Sequence, residues 1–159
     1  MKLRILCVGK LKERFYAEAV EEFSKRLSRY CELEITELAD EKVPENPSPA
    51  DVDRVKAIEC RRIADKLSPQ DHVIALDPRG KALSSEELSA VLGDCMLFGK
   101  SRITFIIGGS HGLTQELRSR ADLVLSFSKM TFSHQIFRVM LLEQIYRAFK
   151  ILKGEPYHK

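Results

Sequence analysis

The stretch LSFSKMTFSHQIFRVMLLEQIYRAFKILKGEPYHK, from Leu125 to Lys159, constrains the fold more than any other part of the chain. It opens as a loop rich in Ser and Thr, continues as a helix with large apolar side chains on nearly every side from Ile136 to Leu152, and closes on Pro156-Tyr157-His158-Lys159. A helix without a clean polar face does not stand alone in water. It is expected to be buried within its own domain or against a second copy of the chain. Its few charges, among them Arg138, Glu143 and Arg147, are costly in such a setting unless paired or used.

The rest of the chain supplies the layers that can bury it. Leu3 to Val8 is a short apolar run closed by Gly9 and reads as a buried strand. Phe15, Ala19, Val20, Phe23, Leu27 and Tyr30 recur at helical spacing, and Leu33 to Leu38 alternates as a half-exposed strand does. Asp40 to Pro49 is a polar, proline-rich loop, after which Ser48-Pro49 predicts a capped helix reaching about Leu67. His72 to Asp77 is a continuous apolar run ended by Pro78-Arg79-Gly80, and Ser84 to Glu87 is a capping signature for a helix through Met96. Arg102 to Ile107 is a further buried strand, Gly108 to Gly112 a glycine-rich turn, Thr114 to Ala121 a short capped helix and Leu123 to Leu125 a last strand. Strands alternating with helix-length segments predict an α/β fold, a parallel sheet with helices on both faces in an α/β/α sandwich. Ligands of such sheets bind beyond the carboxyl ends of the strands. Those ends are Gly9-Lys10, Leu76-Asp77-Pro78, Gly108-Gly109-Ser110 and the loop from Ser126 to Phe132.

The 159 residues suit one domain, 1–159. The start MKLR lacks the pattern of a signal peptide, and no apolar run reaches the ~18 residues of a membrane span, so a cytoplasmic protein without a membrane partner is expected. Cys7, Cys31, Cys60 and Cys95 are scattered singly, which reads as reduced structural thiols rather than a metal site. A net charge of +3 does not announce a nucleic-acid binder. From Lys129 onward, however, Lys129, Arg138, Arg147, Lys150, Lys153 and Lys159 face only Glu143 and Glu155, a local basic surplus suited to phosphates.

Three motifs bear on chemistry. Gly108-Gly109-Ser110-His111-Gly112 matches the G-x-S-x-G elbow of serine hydrolases, with Asp122 and His134 following in the hydrolase order. The chain is short for that fold and has no HGGG-type oxyanion segment. The same turn fails the spacing of a dinucleotide fingerprint and is not a phosphate-binding P-loop. Its glycines remain a means for backbone to approach a ligand closely or turn sharply. Ser126, Ser128, Thr131 and Ser133, with Lys129 among them, form a loop whose main chain can hold a planar group such as adenine, while Thr131 or Ser133 caps the following helix. His134 reads as a hydrogen-bonded structural residue. Tyr157-His158-Lys159, folded back over a pocket, would stack a base and hold phosphate.

VGKLKE, VIALDPRGK, FIIGGSHGL, the loop and helix from Leu125 to Ile151 and the terminal YHK together resemble the ribosomal RNA large subunit methyltransferase H family, from end to end of the chain. These are small SPOUT-class enzymes that transfer a methyl group from S-adenosylmethionine to N3 of a pseudouridine in large-subunit (23S) ribosomal RNA. The resemblance implies a C-terminal trefoil knot (the α/β-knot), a homodimer and the ribosome as partner. It implies cofactor contacts at Leu76, Gly108, Phe127, Ser128, Lys129, Met130, Thr131 and Phe132. Family members often have proline where Ser133 stands. The sulfonium is itself the electrophile, so the chemistry requires no metal. N3 must lose its proton before attack, and the residues expected at the reacting base are His158 as proton acceptor, Tyr157 stacking, and Arg138 and Lys159 orienting RNA or stabilising charge. The tail is expected to close over a pocket shared in the dimer. A serine hydrolase acting through Ser110 and a non-catalytic ribosome-binding module are the rival classes.

Overall fold

A computed structural model describes residues 1–100 and 102–158. The elements run β1 (Lys2–Val8), α1 (Arg14–Leu27), β2 (Glu32–Leu38), α2 (Pro49–Ala64), β3 (His72–Ala82), α3 (Ser85–Leu97), β4 (Arg102–Ile107), α4 (Gln115–Ser119), β5 (Leu123–Ser126) and α5 (His134–Leu152). The five strands form one sheet in the order β2-β1-β4-β3-β5, and every neighbouring pair is parallel.

The period-two alternation of the strands divides the core. Leu3, Ile5 and Cys7 of β1, with Ile74 and Leu76 of β3, pack against α1, α3 and α5. Leu6 and Val8, with Val73 and Ala75, face the other way onto α2 and α4. The sandwich expected from the sequence is therefore present, with three helices on one face and two on the other. Ser48 and Ser84 cap α2 and α3 in reciprocal boxes with Asp51 and Glu87, and Thr114 caps α4. Ser133 occupies the N-cap position of α5, but its side chain makes no capping hydrogen bond, contrary to the role expected for it.

α5 buries Arg138, Leu141, Leu142, Ile145, Ala148 and Phe149 along one stripe. Its remaining apolar residues are only partly covered: Ile136, Val139 and Met140 line a hollow of about 610 Å³ with Phe23, Leu83 and Leu88. The chain thus satisfies one side of its most apolar helix and leaves the other open.

β3 does not end at Asp77, where the sequence places its limit. The ladder to β5 breaks after Leu76, detours through residues 77–80 and resumes at Lys81 and Ala82. Gly80 permits the detour, since a Cβ there would lie 2.5 Å from the Val124 carbonyl oxygen. The backbone of β5 passes directly against this glycine.

Candidate functional site

At the carboxyl ends of β3, β4 and β5 lies a cavity of about 520 Å³, within the usual range for a small-molecule site. Leu76, Asp77 and Arg79 come from the β3 detour, Ile107 to Gly112 from the glycine turn, and Phe127 to His134 from the loop before α5, with Phe137 behind it. Seven of the eight positions expected to touch cofactor line this space: Leu76, Gly108, Phe127, Ser128, Met130, Thr131 and Phe132. Lys129 is exposed and is not among the lining residues.

The loop is held by its own hydroxyls. Ser126 Oγ donates to the Ser128 carbonyl at 3.0 Å, and Ser128 Oγ accepts from the Met130 amide at 3.0 Å. Phe127 lies 4.8 Å from Phe137, centroid to centroid, and Phe132 lies 6.5 Å from the same ring. The serines fix the main chain while the aromatic rings close the apolar side of the cavity.

Opposite the loop, α2 supports the glycine turn from behind. Gly108 is buried, and a Cβ on it would lie 2.8 Å from the Gly112 carbonyl carbon. Gly112 has φ +76°, a conformation that favours glycine. A Cβ on Gly109 would collide with Glu59 Oε2. Glu59 is 3% exposed; its Oε1 accepts from the Glu41 amide at 3.0 Å, while Oε2 has no hydrogen-bond partner among the described residues. Burial pushes its carboxyl above the usual range, against the Glu41 hydrogen bond. Next along α2, Cys60 Sγ accepts from the Thr114 amide at 3.3 Å.

Two charged centres border the cavity. Burial alone would raise the Asp77 carboxyl, but hydrogen bonds and charge from Arg79, with Arg118, outweigh it and hold the group below the usual carboxylate range. Asp77 Oδ1 accepts from the Arg79 amide at 2.9 Å, and Oδ2 from Arg118 Nη1 at 3.4 Å, which ties the detour to α4. Nothing in the sequence signals this clamp, since Arg118 is 41 positions away. His134 is depressed by burial and then by Arg138, so its imidazole is neutral at pH 7. Arg138 Nη2 lies 3.4 Å from His134 Nδ1. Guanidinium can only donate, so Nδ1 accepts and the proton sits on Nε2.

The residues expected at the reacting base are placed differently. Arg138 is 2% exposed, and its Nη1 donates to Glu37 Oε1 at 2.6 Å. Its Nη2 donates to the carbonyls of Gly9 at 2.6 Å and Val8 at 3.2 Å. It clamps α5 to the ends of β1 and β2 and offers no face to RNA within this chain. Tyr157 donates to Glu143 Oε1 at 3.0 Å, packs edge-on against Tyr146 and lies under the Arg147 guanidinium. Burial and the Glu143 hydrogen bond raise its phenol, which stays protonated. His158 Nε2 faces Glu86 Oε1 at 2.8 Å. Within one chain the tail therefore rests on α3 and the end of α5 and does not line the cavity. Lys159 lies outside the described residues.

The three cations of α5 are paired, whereas Lys129 and Lys153 are exposed and make no ion pair among the described residues. Arg138 pairs with Glu37, Arg147 with Glu143 and Lys150 with Glu155. The hydrolase reading fails on geometry. Asp122 lies at the amino end of β5, where it accepts from the Val73 amide at 2.7 Å and faces His72. Ser110 stands at the carboxyl end of β4, and α4 begins only at Gln115 rather than directly after the serine.

The family described as "Predicted SPOUT methyltransferase" matches residues 1–158. The "Ribosomal RNA large subunit methyltransferase H" of Clostridium kluyveri is 56% identical over 159 residues, covering 100% of both chains. The Clostridium perfringens "Ribosomal RNA large subunit methyltransferase H 1" is 54% identical with the same coverage. Among solved structures, "a probable methylase family protein from Haemophilus influenzae Rd KW20" superposes with a TM-score of 0.54 at 13% identity, covering 99% of this chain and 70% of that one. The last comparison speaks to the fold.

Proposed function

This chain belongs to the SPOUT methyltransferase family and, within it, to the ribosomal RNA large subunit methyltransferases H; from that premise we propose that its carboxyl-end cavity holds S-adenosylmethionine and that the methyl group goes to N3 of a pseudouridine. The protein is a methyltransferase of large-subunit ribosomal RNA. When bound, the cofactor supplies an electrophilic methyl group on a sulfonium. What supports the cofactor reading above all is one observation: the cavity is enclosed between the Gly108 turn and a hydroxyl-locked Phe127–Phe132 loop.

The residues present fit such a guest. Leu76, Phe127, Phe132 and Phe137 would enclose its planar and apolar parts and exclude water. The main chain of the Ser128–Thr131 loop would supply polar contacts, and neutral His134 adds no positive charge beside a sulfonium. The Asp77 carboxylate is engaged by Arg79 and Arg118 and fixes the β3 detour that walls the cavity.

The reacting base needs a proton acceptor, and His158 remains our choice, with Tyr157 as a neutral hydrogen-bond donor and stacking ring. Lys159 would meet RNA charge. Arg138 is better assigned to holding the Gly9 and Val8 carbonyls than to touching RNA. Because the tail lies off its own cavity, we assign it to the cavity of a second copy in a homodimer. The half-covered face of α5 supports that pairing. We further read the chain as one cytoplasmic catalytic domain carrying a C-terminal trefoil knot; the double pairing of β3 with β5 and the backbone contact at Gly80 support the knot. No described helix is long and apolar enough to cross a membrane.

Calorimetry tests the cofactor assignment. S-adenosylmethionine is expected to bind at one site per chain, and Phe137→Ala to weaken it about ten-fold, the loss of about 1.4 kcal/mol of ring contact. A folded wild type that gives no binding overturns the assignment and leaves the ribosome-binding module as the reading.

A further inference from the structure

We propose that the segment from Lys10 to Tyr16 is a binding platform for an unpaired nucleotide of the RNA substrate, stacked on Phe15 with its phosphates at Lys10 and Lys12. This deepens, and rests on, the reading of the protein as an RNA methyltransferase. The platform belongs neither to the cofactor cavity nor to the C-terminal tail.

Three observations carry it. The first is the side chains. Phe15 is 60% exposed at the start of α1, its ring centroid 4.3 Å from that of Tyr16. A phenyl ring left in water beside a second ring has lost apolar burial without gain inside this chain, and base stacking would recover it.

The second is charge. Lys10 and Lys12 are exposed, and among the described residues neither makes an ion pair. Among the described residues Arg14 pairs only with exposed Glu18, at 2.6 Å. Of the C-terminal cations, the three on α5 are spent on carboxylates, while Lys129 and Lys153 are exposed and, among the described residues, unpaired. Lys10 and Lys12 thus add free cations at the beginning of a chain whose basic surplus the sequence places at its end.

The third is rigidity and place. The Lys12 amide donates to Gln135 Oε1 at 2.7 Å, the Leu11 amide to Glu37 Oε1 at 3.2 Å, and the Gly9 carbonyl accepts from Arg138. A Cβ on Gly9 would lie 3.1 Å from the ring of His134, which lines the cavity. The segment's main chain is thus pinned to the first turn of α5 at the cavity mouth, while its aromatic and cationic side chains face outward. Lys12 is also close enough to help depress His134. A nucleotide held here would lie beside the one presented to the cofactor.

Phe98 provides a matched control. It is 74% exposed, but it ends α3 beside the amino end of β4, at the opposite end of the sheet. The experiment measures ribosome affinity and KM for methyl transfer, S-adenosylmethionine affinity by calorimetry, and oligomeric state by sedimentation. Phe15→Ala is expected to weaken ribosome affinity and raise KM about 5- to 150-fold, with kcat, cofactor affinity and oligomeric state unchanged. Phe15→Trp is expected to retain binding, and Phe98→Ala to match the wild type. Lys10→Gln with Lys12→Gln is expected to lower the logarithmic salt slope of binding by about 1.4, two phosphate contacts at about 0.7 each. The proposal is overturned if Phe15→Ala stays within two-fold of the wild type, behaves as Phe98→Ala does, or alters cofactor affinity or oligomeric state. If the wild type transfers no methyl group to ribosomes, the functional reading fails on its own, and ribosome affinity of the same variants still decides the platform.

Discussion

Glu59 and Gly109 show how single positions set the shape of the cavity. The glycine turn can lie on α2 only because position 109 has no Cβ to strike the Glu59 carboxyl. Gly109→Ala is expected to cost about 1–3 kcal/mol through overpacking. Glu59→Ala in the same chain makes room, so a double-mutant cycle by urea unfolding should give a coupling of about 1 kcal/mol or more in the rescuing direction; additive losses would contradict the contact. The pH dependence has a definite sign. The folded carboxyl lies above its ordinary value of 4.5, so between the two values the folded state holds more protons than the unfolded one, and stability falls as pH rises through that window. Glu59→Gln does not titrate. Its stability relative to the wild type is therefore expected to improve from about pH 4.5 upward and to level off above the raised value; a gap independent of pH would be wrong for this account. None of this was readable beforehand, because Glu59 sits in an ordinary amphipathic pattern fifty positions before the glycine it touches.

At the scale of elements, the sequence was most informative where one physical rule acts locally. Ser48-Pro49 and Ser84 to Glu87 announced their helices because capping is settled within four residues. The apolar strands were equally plain, and Arg102–Ile107 has the bounds expected of it. The end of β3 was not, because its continuation to Ala82 depends on β5, which arrives more than forty residues later. Arg138 is the same lesson on α5: its spacing shows a charge on an apolar helix, but only the fold supplies Glu37 and the two carbonyls. Removing the tail from Pro156 onward is expected to leave S-adenosylmethionine affinity near that of the wild type and to abolish methyl transfer. Mixed dimers that combine this deletion in one subunit with a loop variant that binds no cofactor by calorimetry in the other should recover part of the activity, since one cavity then has both an intact loop and an intact tail. No recovery in any combination would argue that each tail serves its own chain.

For the whole molecule, the parallel sheet and the place of the cavity followed from the alternation of strands and helices, because strand ends in such folds converge on one side. The Ser126–Phe132 loop was legible for the same reason, whereas the partners of the C-terminal tail were not, since one chain rests Tyr157 and His158 on α3 and α5. The half-covered apolar face of α5 and a tail that lies off its own cavity are the features that support our proposal of a two-chain catalyst. The most direct measurement is transfer of labelled methyl groups from S-adenosylmethionine to ribosomes lacking the modification, followed by nucleoside mass spectrometry of the large-subunit RNA. Label is expected in a single nucleoside, N3-methylpseudouridine, and is expected to be lost with His158→Ala; label on another nucleoside, on ribosomal protein or on nothing would contradict the proposed activity.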